Sequence, residues 1–401
     1  MRPYGGKRIL LGVTGGIAAY KAITVARRLT QHGATVDVVL TTGALEFLTP
    51  LTFEGVTGRP VHSTPYTPGD PLLHIRLARE ADLILVAPAT ANLIARAAAG
   101  MADDLLTCVL LATEAPVLVC PAMNDRMYAH PQTTRNLAHL QELGYRLAGP
   151  GVGPLAWGEG EGPGRLLEPE EILDHAGRVL ETPDLAGRRV LVTAGPTREP
   201  LDPVRYLGNR SSGRMGYAVA AAAWRRGANV VLIAGPGTAP VPSGPRLVRV
   251  ETAEEMASAV HRELPSADAL VMAAAIADFR PARRFEAKIK KGDGTVPELT
   301  LARTPDVLSD TRERRPPGCV VVGFALETDE PLANGRKKLA EKRLDLIVVN
   351  DANEAGAGFD VETNRVTLLD ASGAEELPLL AKAEVADRIL DRVGARLEGS
   401  G

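Results

Sequence analysis

Cysteine is scarce in this chain: Cys108, Cys120 and Cys319 are the only three in 401 residues. They form no CxxC pair and no His/Cys cluster, which argues against a disulfide framework or a zinc site and suits a reducing cytosol. Aromatic residues make up only 4%. An excess of either charge is also missing, since 46 basic against 49 acidic residues leave a formal net charge of -3. That balance offers no electrostatic footprint for nucleic acid or an anionic membrane, so any anionic ligand must be held by local groups. The apolar run Ile9 to Val13 is too short for a membrane span or a signal-peptide core and breaks at once into Gly15-Gly16. A cytoplasmic protein with neither nucleic-acid nor membrane partners is expected.

What is plentiful is Ala, Val and Leu, the composition of parallel sheets covered on both faces by small-residue helices. The length exceeds one hydrophobic core and predicts two domains. Arg8 to Val13 reads as a buried strand, followed by a glycine turn and a helix with Ile17, Val25 and Leu29 at helical spacing. Val36 to Leu40, Leu83 to Ala87 and Pro116 to Cys120 are further strands, alternating with helical Asn92 to Ala99, Asp104 to Leu111 and Thr133 to Leu143. The alternation predicts a doubly wound parallel α/β sheet. Residues 149 to 165 are so dense in glycine and proline that a mobile flap with neither helix nor strand is expected there. A helix near Glu170 to Leu180 leads to a linker, Glu181-Thr182-Pro183-Asp184, which sets the domains at 1–180 and 181–401. After it Gly187 to Thr193 echoes Gly6 to Leu11, opening a second α/β domain. Its predicted strands are Val190 to Thr193, Val230 to Ala234, Leu270 to Ala274, Val320 to Phe324 and Leu346 to Val349, with a hairpin around Arg365 to Leu369 and helices over Gly213 to Arg226 and Pro331 to Lys342.

In the first half, Val13-Thr14-Gly15-Gly16-Ile17 places small residues where a strand turns into a helix, which serves either a phosphate at the helix end or tight packing. Ala87-Pro88-Ala89-Thr90-Ala91-Asn92 lies at another strand's carboxyl end, where open sheets bind ligands, although Thr90 or Asn92 equally suits a helix cap. Gly100 to Asp104 divides in the same way between an N-cap and a ligand loop. His74 stands alone between polar and apolar residues, whereas Pro121-Ala122-Met123-Asn124-Asp125-Arg126-Met127 offers an amide beyond a strand end that suits a substrate carboxylate.

In this order the segments resemble the homo-oligomeric flavin-containing cysteine decarboxylases, across nearly all of residues 6 to 175. The resemblance implies a flavodoxin-like fold, an FMN cofactor and sites shared between subunits of a trimer. It implies that His74 and Asn124 are catalytic, that Gly15, Gly16, Thr42, Pro88, Ala89, Thr90 and Asn92 contact the flavin, and that Asn124, Met127 and Arg165 contact substrate. The family often carries Ala-Cys-Gly in the flap, where its cysteine assists the final protonation. Here Trp157 or Gly158 stands at that place, depending on the alignment anchor, and neither delivers a proton as a thiol of pKa about 8.5 does. Cys120, before Pro121 at a strand end, suits packing better than proton transfer.

The second half opens on Thr193 to Glu199, followed by Arg205-Tyr206-Leu207-Gly208-Asn209-Arg210-Ser211-Ser212-Gly213 before a helix. That stretch suits a phosphorylated, carboxylate-bearing ligand, or else forms a polar loop with Ser212 as N-cap. Asp278 follows another strand, Lys288-Ile289-Lys290-Lys291 clusters cations, and Lys338 and Lys342 are one helical turn apart; lysine runs are usually solvated surface. This half resembles phosphopantothenate-cysteine ligase, and the ordered fusion resembles the bacterial bifunctional decarboxylase/ligases of coenzyme A synthesis. The resemblance implies a Rossmann-like fold, CTP as nucleotide, Mg2+ and a dimeric ligase unit, which with a trimeric flavin domain closes as a dodecamer. Arg205 and Asn209 then face substrate. Ala274, Ala275, Asp278, Lys288, Pro305, Asp306, Val307, Leu308, Phe324, Lys338 and Lys342 face the nucleotide, Asp278 also serving the metal, with Lys288 steadying phosphoryl charge. The implied substrates are 4'-phosphopantothenate and cysteine. Two other readings remain: a non-catalytic regulatory flavoprotein, and a decarboxylase of cysteine-ended peptides.

Overall fold

A computed structural model describes residues 2–66, 69–158, 160–290, 298–327, 329–351, 358 and 361–399. The chain divides into two compact units, Met1–Glu181 and Thr182–Gly401. Lys291 of the lysine run lies outside the described residues.

The first unit is built on β1 (Arg8–Val13), β2 (Thr35–Leu40), β3 (Val61–His62), β4 (Leu83–Ala89), β5 (Val117–Pro121) and β6 (Arg146–Leu147), in the order β3-β2-β1-β4-β5-β6. All neighbours are parallel. The sheet is therefore doubly wound, as expected, with its switch point at the carboxyl ends of β1 and β4. Alternation along each strand feeds two cores: Ile9, Leu11 and Val13 point to one face and Leu10 to the other. Helices Tyr20–Gln31 and Pro169–Leu180 cover the first face, and Leu73–Glu80, Ala91–Ala98, Leu105–Ala112 and Pro131–Glu142 the second. Each large aliphatic side chain buried this way contributes about 1.5 to 3 kcal/mol before entropy is set against it.

The glycine-rich stretch departs from expectation. It forms an antiparallel hairpin of β7 (Gly151–Pro154) and β8 (Glu161–Arg165). Gly164 serves close approach: with φ +148°, an added Cβ there would stand 2.2 Å from the Met123 carbonyl oxygen, whereas Gly158 and Gly160 have open space around them.

The second unit contains β9 (Arg189–Ala194), β10 (Arg198–Pro200), β11 (Tyr206–Gly208), β12 (Asn229–Ala234), β13 (Arg246–Arg249), β14 (Ala269–Met272), β15 (Phe279–Pro281), β16 (Leu301–Arg303), β17 (Val320–Glu327), β18 (Leu346–Asp351), β19 (Thr363–Asn364), β20 (Thr367–Asp370), β21 (Gly373–Glu376) and β22 (Leu380–Ala381). The main sheet runs β13-β12-β9-β14-β17-β18-β20-β21. Its first six strands are parallel and repeat the winding of the first unit, while β20 and β21 add an antiparallel edge. The strand expected to reach Ala274 ends at Met272, because the Ala274 N–H leaves the ladder and donates to the Thr193 hydroxyl at 3.2 Å. Helix Arg214–Arg225 lies close on β9, and a Cβ on Gly216 would meet that of Ala194 at 2.5 Å.

Both sheets are locked at their amino edges by one device. The Asp82 carboxylate accepts the Arg8 N–H at 2.7 Å, and its own N–H donates to the Arg8 carbonyl at 2.7 Å. Asp268 does the same to Arg189, at 2.7 and 2.9 Å. Among the described residues no helix is long and apolar enough to cross a membrane.

Candidate functional site

In the first unit the sequence-predicted residues gather along the carboxyl edge of the sheet. Thr14, buried after β1, donates its hydroxyl to the Pro88 carbonyl at 2.8 Å and accepts the Thr90 N–H at 3.1 Å, which ties the ends of β1 and β4 together. Gly15 lies so close to Gly43 that a Cβ would come within 2.5 Å of its carbonyl, and this brings exposed Thr42 alongside. Gly16 precedes the turn Ile17–Ala19, which continues into helix Tyr20–Gln31, and no side chain caps its first N–H groups. Thr90 does cap helix Ala91–Ala98, accepting the Leu93 N–H at 3.4 Å, while Asn92 is exposed in its first turn. Asp104 forms a capping box with Thr107, so the Gly100 to Asp104 stretch is at least a helix start.

The Ala122 N–H donates to the Ala89 carbonyl at 3.0 Å, and the Met123 N–H to the Gly164 carbonyl at 2.9 Å. The loop after β5 is thereby held between the end of β4 and the hairpin. Asn124 caps the short helix Asp125–Ala129: its Oδ1 accepts the Arg126 N–H at 2.9 Å, so the amide is oriented with its NH2 as the remaining donor. Met127 is exposed, and Arg165 pairs with Glu168, whose carboxylate also receives the Lys21 ammonium at 3.0 Å. His74, half-buried, occupies the first turn of helix Leu73–Glu80, which sequence reasoning did not draw. A crossover helix in a parallel sheet begins at the strands' carboxyl edge, so His74 belongs to the same edge as the others. Cys120, in β5, is wholly buried in the core, and burial pushes its thiol up to about 12. Trp157, at the hairpin tip, is fully exposed.

In the second unit a cleft of about 750 Å³ opens at the carboxyl ends of β14, β17 and β18, beside the start of helix Arg214–Arg225. All the predicted nucleotide-side residues except Lys288 line it: Ala274, Ala275, Asp278, Pro305, Asp306, Val307, Leu308, Phe324, Lys338 and Lys342. Of the two substrate-side residues, Asn209 lines the cleft and Arg205 does not. Asn209 donates through Nδ2 to the carbonyls of Ala275 and Ile276, at 3.2 and 3.1 Å, binding one wall to the other. The helix expected to carry Lys342 ends at Glu341, and Lys342 turns to Asp306 and to the Ser309 hydroxyl, 2.6 Å away. Burial would raise the Asp306 carboxyl, but the Lys342 ammonium and Ser309 outweigh it and hold it below its usual range. Ser212 is buried, yet Gly213, at φ 86°, takes the N-cap of the following helix. Lys288 is exposed on the segment after β15, and Arg205 is engaged by Asp202. Asn350, Asn364 and Lys382 also line the cleft; they lie beyond the motifs, and nothing in a single sequence sets them apart.

Among the described residues no group of three or more His, Cys, Asp or Glu side chains is placed to hold a metal. Exposed Asp278 is a single carboxylate in the cleft. Such a donor set fits an ion that arrives on a nucleotide's phosphates and keeps much of its water, as Mg2+ does.

Comparison with known proteins places these two edges in context. The family model described as "Flavoprotein" matches residues 1–180, and that described as "DNA/pantothenate metabolism flavoprotein C-terminal domain" matches residues 185–397. The chain is 45% identical over 399 residues to the "Coenzyme A biosynthesis bifunctional protein CoaBC" of Vibrio vulnificus, covering 98% of each chain. It is 47% identical over 409 residues to the protein of the same name from Mycobacterium tuberculosis, covering 98% of this chain and 97% of that one. A solved C-terminal domain of a protein with that name is 38% identical, with a TM-score of 0.47, covering 54% of this chain and 100% of that one.

Proposed function

The chain belongs to the family of coenzyme A biosynthesis bifunctional proteins, and we propose that its decarboxylase and ligase activities divide between the two units, 1–180 decarboxylating and 181–401 ligating. It is a flavoprotein and a bifunctional enzyme of coenzyme A synthesis. The observation that carries the ligase assignment is the cleft at the second sheet's switch point, where the nucleotide-side residues converge from separate loops.

In this reading CTP occupies that cleft, and Asp278 would help hold a Mg2+ that would offset the charge of its phosphates. The carboxylate of 4'-phosphopantothenate attacks the α-phosphorus, the bond to the β-phosphate's bridging oxygen breaks, and an acyl-cytidylate and pyrophosphate result. Lys288 steadies the charge that builds on the phosphoryl oxygens, and Asn209 orients the acyl group. The amine of cysteine then displaces CMP and loses a proton, giving 4'-phosphopantothenoylcysteine, the substrate of the other unit.

The first unit fits FMN: the Gly15–Gly43 contact leaves no room for a side chain, and the uncapped turn after Gly16 presents N–H groups that suit a phosphate. FMN held there would supply two-electron redox chemistry at the cysteine end of the substrate, through which carbon dioxide could be lost. The NH2 of Asn124 holds the departing carboxylate, His74 handles the proton, and Met127 and Arg165 bound the substrate. A homo-oligomer, with the flavin site shared between copies, agrees with the exposed apolar side chains Ile17, Tyr20 and Met127 along this edge.

Purified protein supplied with 4'-phosphopantothenate, cysteine, CTP and Mg2+ should release pyrophosphate and CMP and form 4'-phosphopantetheine. It should be yellow and lose FMN on denaturation. ATP outperforming CTP would overturn the nucleotide assignment, and a colourless protein that FMN does not reconstitute would overturn the cofactor.

A further inference from the structure

The segment that carries Lys288 is fastened by a pair of side chains outside the cleft. Asp202 lies in the loop between β10 and β11, and its carboxylate is fully buried although Pro203, Val204 and Arg205 beside it are exposed. It accepts the N–H groups of Val204 and Arg205, at 2.8 and 2.9 Å, and the Arg205 Nε–H at 2.9 Å. These local bonds are what an aspartate before a proline makes in a tight turn. A further bond comes from far along the chain: the Ile289 N–H donates to Asp202 Oδ2 at 3.2 Å. The Arg205 guanidinium in turn donates to the Ile289 carbonyl at 2.9 Å. One ion pair thus takes both backbone polar groups of Ile289, as a neighbouring strand would. Three residues before Lys288, the Phe285 N–H donates to the Leu201 carbonyl at 2.9 Å.

We propose that Asp202 is a positioning residue for ligation: with Arg205 it fixes the backbone beside Lys288, and so sets where the Lys288 ammonium stands, without touching substrate. A turn needs only the local bonds, and the two bonds to Ile289 have no purpose in the loop itself. The Arg205 guanidinium, working against burial and aided by the Val204, Arg205 and Ile289 N–H groups, holds the Asp202 carboxyl well below the usual carboxylate range, so the clamp stays charged at physiological pH. The inference rests on the reading of Lys288 given above.

The test is pyrophosphate release from CTP and 4'-phosphopantothenate by the full-length protein. Asp202→Asn should lower kcat roughly 10- to 100-fold, the scale of a displaced reacting group, with KM for CTP changing far less. Decarboxylation of supplied 4'-phosphopantothenoylcysteine should be unchanged. In a Lys288→Gln background the same substitution should lower the residual rate no further, because what the clamp positions is already gone. A wild-type rate for Asp202→Asn, a loss confined to KM, or a loss that multiplies with that of Lys288→Gln would overturn the inference and leave the role of Lys288 standing. Wild-type ligation by Lys288→Gln alone would overturn both. If Asp202→Asn fails to fold, as its melting curve would reveal, Asp202→Glu keeps the charge and shifts it by one methylene, and the same fall in kcat with the same absence of additivity is required of it.

Discussion

The two sheets share a winding order and an amino-edge lock, and differ at their carboxyl edges. Asp82 and Asp268 each close a strand start on the arginine opposite with nearly the same bond lengths. At the other edge the first unit folds a glycine hairpin against the loop after β5, and its candidate residues stand among exposed apolar side chains. The second unit lengthens β17, adds an antiparallel edge and lines a cleft from its own loops. Parallel α/β sheets keep stability at one end and chemistry at the other, so a winding used twice can carry two reactions by changing only the loops at one edge.

The sharpest way to break this comparison is reciprocal inactivation. His74→Asn should leave 4'-phosphopantothenoylcysteine unconverted while ligation continues, and Lys288→Gln should cut ligation to a small residual rate while decarboxylation of supplied substrate stays near wild type. Equal loss of both activities in either variant would refute the division. Mass analysis of the wild-type product sharpens it further, because the hairpin carries Trp157 or Gly158, according to the alignment anchor, where the resemblance leads one to expect a cysteine. Reduced 4'-phosphopantetheine is expected, its last proton coming from water or another group, and a product two hydrogens lighter would mean that no group replaces the thiol. Cys120→Ala should still give the reduced product.

Next in size is the hairpin's attachment. Gly164→Ala drives a Cβ into the Met123 carbonyl at a φ that side chains rarely adopt, and should cost about 2 to 4 kcal/mol in the first unit, with loss of decarboxylation. Gly160→Ala, with φ +79° and open space around it, should cost only about 1 kcal/mol. Comparable melting shifts for the two would show that the docking contact is not what the glycines serve.

The shared lock should yield a matched pair of smaller effects. Asp82→Ala and Asp268→Ala each remove the acceptor of one strand-start N–H and should cost about 1 to 2 kcal/mol in their own unit alone, read as a shift of one melting transition. Acid should act on both units. Burial would raise the Asp370 carboxyl in β20, but the Ser372 and Arg396 bonds bring it down to about 2. In β2 the Arg8 and Arg59 guanidinium groups likewise overcome burial and lower Asp37. With folded values below the unfolded value of about 3.9, both contribute stability above that pH and lose it as the pH falls further. Asp370→Asn should flatten the acid response of the second unit and Asp37→Asn that of the first.

Much of this was legible in the sequence. Short apolar strands such as Ile9 to Val13 and Val320 to Val322 bury both faces, and that run of hydrophobes needs no tertiary information to be seen. The motif residues at the carboxyl edges were found because strand ends and glycine turns are local signals. The hairpin was missed because glycine reads alike in a loose loop and in a close backbone contact, and only Met123 opposite Gly164 separates the two. The helix around His74 was missed because its apolar stripe, Leu73, Leu77 and Ala78, is brief. Asp202 had a signal in the Asp-Pro pair that marks a turn, but the bonds to Ile289 join residues far apart in sequence and no local pattern announces them.

The chain contains two tryptophans, and they report on different halves. Trp157 stands fully in water at the hairpin tip, whereas Trp224 packs against the second unit's core with its ring over Gly244, where an added Cβ would come within 2.2 Å. Their fluorescence is therefore a built-in pair of optical channels: a red-shifted emission that should move to the blue when anything closes over the hairpin, and a blue-shifted emission that should redden only when the second core opens. Without an added label, a single emission spectrum followed through a titration or a melt distinguishes an event at the hairpin from an event in the other half of the chain.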